Sequence, residues 1–260
     1  LHTAYRRQRQ MCIRDRSVPK FDFDMAPGVR KTYQKHYRRC LCNACELLCG
    51  LENSSEALSP VFAALEEKQL VPTLESNENY TAAEREALQA LLGCSEAQII
   101  SAQQFAAKHT YTETECATYQ AMQTLIDDLN TMHSRAGAQT PFSSLNYGTD
   151  TSPEGRMVIK NMLLAEQAGL GHGETPIFPI HIFKVKEGIN FNPGDPNYDL
   201  FRLACKVSAK RLFPNFSFLD APFNLQYYKE GHPETEVAYM GCRTRCLLYT
   251  SDAADDMQCV

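Results

Sequence analysis

Four cysteines that lie close together have the residue type and spacing to bind a metal ion. Cys40, Cys42, Cys45 and Cys49 follow the pattern C-x-C-x₂-C-x₃-C, and thiolates so spaced can hold zinc or an iron–sulfur cluster. The surrounding segment nevertheless predicts one continuous helix. On it, Cys42, Cys45 and Cys49 share a face, as residues of a hydrophobic core do. We therefore predict that these cysteines are core residues and that the chain has no metal site.

A further cysteine, Cys242, stands between Gly241 and Arg243 in the segment AYMGCRTR. Glycine allows a tight backbone turn, and the guanidinium groups of Arg243 and Arg245 can hold anionic groups or anchor a loop. The residue types fit a reactive thiol on a constrained turn. They also fit a small buried apolar side chain, which is the more usual role of a free cysteine.

Small polar side chains occupy a strand-like segment, QTPFSSLNYGTD, at residues 139–150. Alternation along a strand places Ser144 and Asn146 on one face and Ser143 on the other. These groups can bind a polar ligand or cap the end of the strand. The next residues, Thr151 to Glu154, open a helix whose free N–H groups can bind phosphate or be satisfied by their own cap.

The elements that position these residues divide the chain in two. Residues 17–135 are predicted to be mainly helical, and residues 136–245 alternate strand and helix, as in parallel βαβ units. The predicted helices cover 27–49, 54–69, 81–92, 98–108, 112–134, 153–168 and 199–213, with capping boxes at Thr81 and Thr112. The predicted strands are 142–147, 176–185 and 216–219. Three parallel strands cannot cover their own edges, so we expect part of a larger α/β fold.

Composition restricts the class of protein. The 260 residues are 43% hydrophobic and 22% charged, which is typical of a globular domain, and no apolar run is long enough for a membrane span. The net charge of −5 argues against a general nucleic-acid-binding surface. The 11 cysteines follow no secretory signal and no disulfide spacing, so we expect reduced thiols and a cytoplasmic location.

The two ends of the chain differ from its middle. Residues 6–16 and 246–256 resemble translations of transposase-type sequencing adapters, in inverted orientation. The codons TGT-CTC-TTA-TAC-ACA-TCT encode Cys-Leu-Leu-Tyr-Thr-Ser, for example. We therefore expect residues 1–16 and 246–260 to be artefact and exclude them from the fold prediction.

The middle of the chain resembles a known family over most of its length. Residues 130–224, with residues 21–39 (FDFDMAPGVRKTYQKHYRR) and 238–245 (AYMGCRTR), are similar to the large catalytic subunit of anaerobic, class III ribonucleoside-triphosphate reductases. The resemblance implies an internal fragment containing part of a ten-stranded α/β barrel, which a finger loop threads. Cys242 falls on the cysteine at the tip of that loop. Ser143, Ser144 and Asn146 fall on an active-site strand, where they could bind ribose hydroxyls.

The resemblance also implies the chemistry. A glycyl radical, generated by an S-adenosylmethionine iron–sulfur activase, converts the Cys242 thiol to a thiyl radical. The thiyl takes the ribose 3′ hydrogen, the 2′ hydroxyl leaves as water, and formate or a thiol supplies the electrons. ATP and deoxynucleotide effectors, a zinc site and a homodimer belong to the complete enzyme. We expect its glycyl-radical segment, zinc site, second active-site cysteine and ATP-binding domain to lie outside this chain, which alone should not turn over.

Two alternatives stay open at this point. Another glycyl-radical enzyme, similar to formate lyases, would share the barrel and a loop cysteine. Pyruvate formate-lyases carry adjacent cysteines at that position, however, whereas Cys242 stands alone. A catalytically inert nucleotide-binding fragment is the other alternative, and it requires the helical residues 17–135 to bind nucleotide by themselves.

Overall fold

The computed structural model describes residues 15–131, 142–226, 228–229, 236–240 and 244–247. These residues form two compact units. The helical unit is residues 26–118, and the sheet unit combines the described residues before 26 with those from 119 onward. No helix in the described ranges is both long enough and apolar enough to cross a bilayer.

Four helices account for the first half of the chain: α1 (Phe21–Cys49), α2 (Ser54–Glu67), α3 (Glu78–Leu92) and α4 (Glu96–Thr131). The helical unit has one hydrophobic core, because each of its helices buries an apolar stripe. Its fully buried members include Leu41, Cys45, Leu58 and Leu88. The predicted mainly helical N-terminal part is confirmed.

Both predicted capping boxes are wrong, for a common physical reason. Helix α3 begins at Glu78 rather than Thr81, since the Asn77 side chain accepts the N–H of Tyr80 at 3.2 Å. Thr112 lies inside α4, which joins the two helices predicted at 98–108 and 112–134. Its hydroxyl donates to the carbonyl of Lys108 at 3.2 Å. A threonine hydroxyl caps a helix only where the backbone has left the helix, and otherwise bonds to the preceding turn.

The second half of the chain builds a parallel sheet of four strands in the order β1–β2–β3–β4. The strands are β1 (Asp15–Val18), β2 (Phe142–Tyr147), β3 (Ile180–Val185) and β4 (Asn215–Phe218). Helices α5 (Pro153–Ala168) and α6 (Tyr198–Arg211) connect β2 to β3 and β3 to β4. After the short helix α7 (Pro222–Leu225), β5 (Val237–Met240) and β6 (Thr244–Leu247) form an antiparallel hairpin.

The predicted α/β class with a parallel sheet is confirmed, but the sequence did not predict all of the strands. The sequence indicated three strands and missed β1, β5 and β6. Strand β3 also begins at Ile180, later than the predicted 176, and directly after Pro179. Proline has no N–H to donate to a neighbouring strand, so it commonly marks where a strand can begin.

The two faces of the sheet have different neighbours. Residues paired across parallel strands point to the same side, so the registers define each face. We call the first the helix face, since α5 and α6 pack on it; it carries Leu145, Tyr147, His181, Phe183 and Phe216. We call the second the β5 face; it carries Ser17, Ser144, Asn146, Ile182 and Lys184. Most of its polar side chains are buried, although polar groups usually prefer water.

Candidate functional site

Asn146 lies at the centre of the β5 face and is completely buried. Its amide nitrogen donates to the backbone carbonyl of Tyr239 at 2.9 Å, and its amide oxygen accepts the N–H of the same residue at 2.9 Å. The two remaining acceptors near the nitrogen are the Ser17 hydroxyl at 3.2 Å and the Val18 carbonyl at 3.3 Å. The side chain thus connects β2 to β1 and to β5, and both hydrogens of its amide nitrogen have acceptors within reach.

Ser17 strengthens the same connection. Its hydroxyl donates to the Tyr239 carbonyl at 2.8 Å, so that carbonyl accepts from two side chains. Tyr239 also packs against the apolar cluster of Phe178, Ile180 and Ile182. Strand β5 is therefore held across this face by side chains of the sheet.

A buried cation lies further along the β5 face. Lys184, 1% exposed, places its ammonium 3.3 Å from the carboxylate of Glu236, just before β5. Burial lowers the pKa of Lys184, and the negative charges of Glu236 and Asp22 oppose that shift. Glu236 also binds Lys186 at 3.1 Å. An ion pair of this kind fixes position, because separating it would leave a buried charge without a partner.

The turn that follows β2 is built rigidly. The carboxylate of Asp22 accepts the backbone N–H groups of Gly148, Thr149 and Asp150 at 2.9 to 3.0 Å. Gly148 has a φ of +126°, and a Cβ there would lie 2.8 Å from the Lys184 carbonyl oxygen. Only glycine fits such a backbone. Burial raises the pKa of Asp22, while the N–H groups of Asp150 and Gly148 favour its ionised form.

The N-terminus of α5 is satisfied by local side chains. The Ser152 hydroxyl accepts the N–H of Gly155 at 3.1 Å, as predicted for an N-cap. The carboxylate of Asp150 accepts the N–H of Ser152 at 2.8 Å. This geometry is that of a capped helix, and the possible phosphate contact stays a prediction.

On the helix face, a buried chain of polar groups links the sheet to α5. The Tyr147 hydroxyl lies 3.0 Å from Nδ1 of His181, and Nε2 of His181 lies 3.1 Å from the Glu166 carboxylate. Ser143 is on this face, opposite Ser144 and Asn146, as the alternation predicted. The buried Ser143 hydroxyl has no hydrogen-bond partner among the described atoms.

The cysteine cluster in α1 is part of the helical core. Cys40, Cys42 and Cys45 are buried, whereas Cys49 is half-buried. Burial raises the pKa of the Cys45 thiol to about 12, and the neighbouring Cys49 thiol adds to the rise. Such thiols stay protonated near neutral pH, as expected of core residues rather than reactive thiolates. The helical face predicted from Cys42, Cys45 and Cys49 left out Cys40, which is also buried.

Cys242 lies outside the described residues. The described strands on either side of it pair with each other, with Met240 opposite Thr244. The anchored residue Tyr239 is three positions before Cys242 in the chain. Sequence reasoning chose Ser144 and Asn146 but missed their surroundings. Ser17 and Tyr239, which bond to Asn146, and the buried Asp22 and Lys184 nearby carry no motif of their own, and only the folded contacts reveal them.

Comparisons with known proteins identify the family. The sequence profile described as anaerobic ribonucleoside-triphosphate reductase matches residues 15–255. The anaerobic ribonucleoside-triphosphate reductase of Salmonella typhimurium is 41% identical over 105 residues, 40% of this chain and 14% of the relative. That of Enterobacteria phage T4 is 37% identical over 153 residues, 58% of this chain and 24% of the relative. The chain thus spans a small part of these proteins, and it belongs to the anaerobic ribonucleoside-triphosphate reductase family.

Proposed function

We propose that the chain is part of the catalytic subunit of a reductase that converts ribonucleoside triphosphates to 2′-deoxyribonucleoside triphosphates. The family match is the observation that carries this proposal, because it runs through the sheet, β5 and Cys242. In the proposed reaction the Cys242 thiyl takes the 3′ hydrogen of ribose. The 2′ hydroxyl then takes up a proton and leaves as water, and formate or a thiol is oxidised as it supplies two electrons. Cys242 finally returns the hydrogen to C3′, which restores the thiyl radical. The match favours this reaction over formate-lyase chemistry and over an inert nucleotide-binding role.

The residues of this chain have two roles in the proposal. Cys242 contacts the substrate, whereas the β5 face supports the strand that leads to it. A buried face suits radical chemistry, because it keeps dissolved oxygen and other reactive solutes away from a reactive sulfur. Contacts of Ser143, Ser144 and Asn146 with the ribose stay a prediction. To donate to the ribose, the Asn146 amide nitrogen would have to give up one of its present hydrogen bonds.

The remaining components belong to the complete enzyme. We propose a ten-stranded barrel of which the parallel sheet is a part, and a homodimer in the cytoplasm. The glycyl radical supplies the unpaired electron, and a radical S-adenosylmethionine activase generates it. We further propose zinc, ATP and deoxynucleotide effectors. In the described part of the chain, no three His, Cys, Asp or Glu side chains group closely enough to hold a metal ion.

The test is replacement of the thiol in the complete reductase. We expect Cys242→Ser to lower deoxynucleotide formation by at least about a thousandfold under anaerobic conditions, because serine cannot carry the radical. The glycyl radical itself, followed by electron paramagnetic resonance, should still form. Cys205→Ser is the matched control, since Cys205 is exposed on α6, and it should retain full activity. Turnover by Cys242→Ser at the wild-type rate would refute the proposal.

The status of the two tails is a separate proposal. We propose that residues 1–16 and 246–260 are adapter translations. Parts of both segments fall inside the family match and inside β1 and β6. Sequencing the source locus across both junctions without transposon adapters decides the matter. Genomic DNA that encodes both tails as they stand would overturn it.

A further inference from the structure

Asn146 makes with Tyr239 the pair of hydrogen bonds that a neighbouring strand would make. A carboxamide carries a donor and an acceptor in the same relative positions as a peptide group. Both are used on one residue of β5, each at 2.9 Å. On this face of the sheet, the Asn146 side chain thus makes with β5 the bonds that a backbone ladder would make.

Further contacts at Tyr239 and at Glu236 hold β5 at one position along the sheet. Ser17 donates to the same Tyr239 carbonyl at 2.8 Å. Three residues earlier, Glu236 is held by the ammonium groups of Lys184 and Lys186. Two anchors of different chemistry therefore fix β5 at Glu236 and at Tyr239, immediately before the segment Gly241–Arg243.

We propose that Asn146 and Ser17 are positioning residues that set where β5 delivers Cys242. The inference rests on the proposed role of Cys242, but its physical content, the pinning of Tyr239 by Asn146, can be measured without turnover. Asn146 acts through β5 and touches no reacting atom in this role.

Substituting Asn146 separates this role from a general contribution to folding. Asn146→Ala removes both bonds to Tyr239. Asn146→Asp keeps an acceptor, but its ionised carboxylate faces the carbonyl oxygens of Tyr239 and Val18 with no proton to donate. Once protonated, the introduced carboxyl again has one donor and one acceptor, so it can pair with the peptide group as the amide does. The hydrogen bonds that hold Tyr239 should therefore form again in this variant as the pH falls.

The experiment is residue-resolved hydrogen exchange on the full chain. We expect the Tyr239 amide to exchange at least about tenfold faster in Asn146→Ala than in the wild-type chain, since two hydrogen bonds are lost. Burial beside two carbonyl oxygens should raise the pKa of the carboxyl introduced in Asn146→Asp, so protection corrected for intrinsic exchange should be about tenfold higher near pH 5 than near pH 8. The matched control is Asn161→Ala. Asn161 is similarly buried, but the hydrogen bond that its amide nitrogen makes within the described residues goes to Met157 in its own helix, at 2.9 Å.

The control also accounts for other titrating groups. Lys184, its partner Glu236 and the nearby Asp22 are present in every variant, so a difference between variants reports the substituted side chain. Unchanged exchange at Tyr239 in Asn146→Ala would overturn the proposal. Faster exchange spread uniformly over the sheet would also overturn it, because that result indicates a general structural role.

Kinetics of the complete reductase give the second readout. We expect Asn146→Ala to lower kcat at least about tenfold with little change in KM, because the substrate still binds while the thiol is misplaced. An unchanged kcat would overturn the positioning role. A fully active Cys242→Ser enzyme would instead end the proposed function, and the exchange result at Tyr239 would still stand. The two failures are therefore distinguishable.

Discussion

The helical unit and the sheet unit each bury a carboxylate and satisfy it in different ways. In the helical unit, Glu84 accepts from the hydroxyls of Tyr37 and Tyr80 and from the amide of Gln103, at 2.6 to 2.8 Å. In the sheet unit, Asp22 accepts three consecutive backbone N–H groups. One carboxylate joins side chains of three helices, whereas the other fixes the path of the main chain.

The difference shows what buried polar groups do in each unit. Side-chain partners can adjust their rotamers, so the Glu84 network mainly selects how helices pack. Backbone partners cannot move without moving the chain. Asp22 and Asn146 both bind backbone, and both act near the ends of strands. The sheet unit therefore uses buried polarity to place loops, which a catalytic site requires.

Removing Asp22 should have the largest effect on stability. Asp22→Ala leaves three buried N–H groups without an acceptor, each of which is costly. We expect the free energy of unfolding to fall by about 4 kcal/mol in a denaturant titration. The control is Asp24→Ala, since Asp24 is exposed in the same first turn of α1 and should cost about 0.5 kcal/mol. Equal effects of the two substitutions would show that the backbone contacts contribute nothing particular.

Changing Glu84 tests the side-chain network and its pH dependence. Glu84→Gln keeps the shape but disturbs the three donors, and we expect a loss of about 2 kcal/mol. Burial raises the pKa of Glu84 above its usual 4.5, and the bonds from Tyr80, Gln103 and Tyr37 offset only part of that rise. The folded chain therefore binds this proton more tightly than the unfolded chain does.

The sign of the pH effect follows from that difference. The unfolding free energy of the wild-type chain should fall, relative to Glu84→Gln, as the pH rises from 4.5 through the folded-state pKa. Denaturant titrations of both chains at several pH values measure the gap between them. A gap that stays constant, or that grows with pH in favour of the wild-type chain, would contradict the raised pKa.

The smallest expected effect concerns the cysteines of α1. Cys45→Ala removes one completely buried sulfur and should lower the unfolding free energy by about 1 kcal/mol. If the four cysteines are core residues, the zinc and iron content of the purified chain should be negligible before and after the substitution. Stoichiometric metal that disappears in Cys45→Ala would instead establish a metal centre in the helical unit.

Periodic patterns predicted the elements that depend on local signals. The amphipathic helices and the strand Phe142–Tyr147 are recognisable because one face of each is apolar or consistently buried. The helix that begins at Pro153 was predicted from an N-cap serine and a proline in the first turn, and the structure has both. The alternation of side chains along a strand was enough to predict that Ser143 and Ser144 lie on opposite faces.

Elements that depend on distant partners could not be predicted in this way. Strand β1 is four residues long and becomes a strand only by pairing with β2, which lies far along the chain. Glu84 has the spacing of a capping-box glutamate and is instead a core carboxylate, because Tyr37 and Gln103 come from other helices. The same limit applies to predicting the candidate site. Asn146 was identifiable as polar and inward, but its partner Tyr239 was not.

The contacts of Asp22 set an order of events during synthesis. Their sequence separations are 126 to 128 residues, so the carboxylate can bind only the neighbouring N–H of Phe23 until the ribosome has passed Asp150. At roughly 5 to 20 residues per second, that wait lasts about 6 to 25 s. The Tyr37–Glu84 contact spans only 47 residues and can form well before. The helical unit can therefore fold on the nascent chain while the first turn of α1 still awaits its place in the sheet unit.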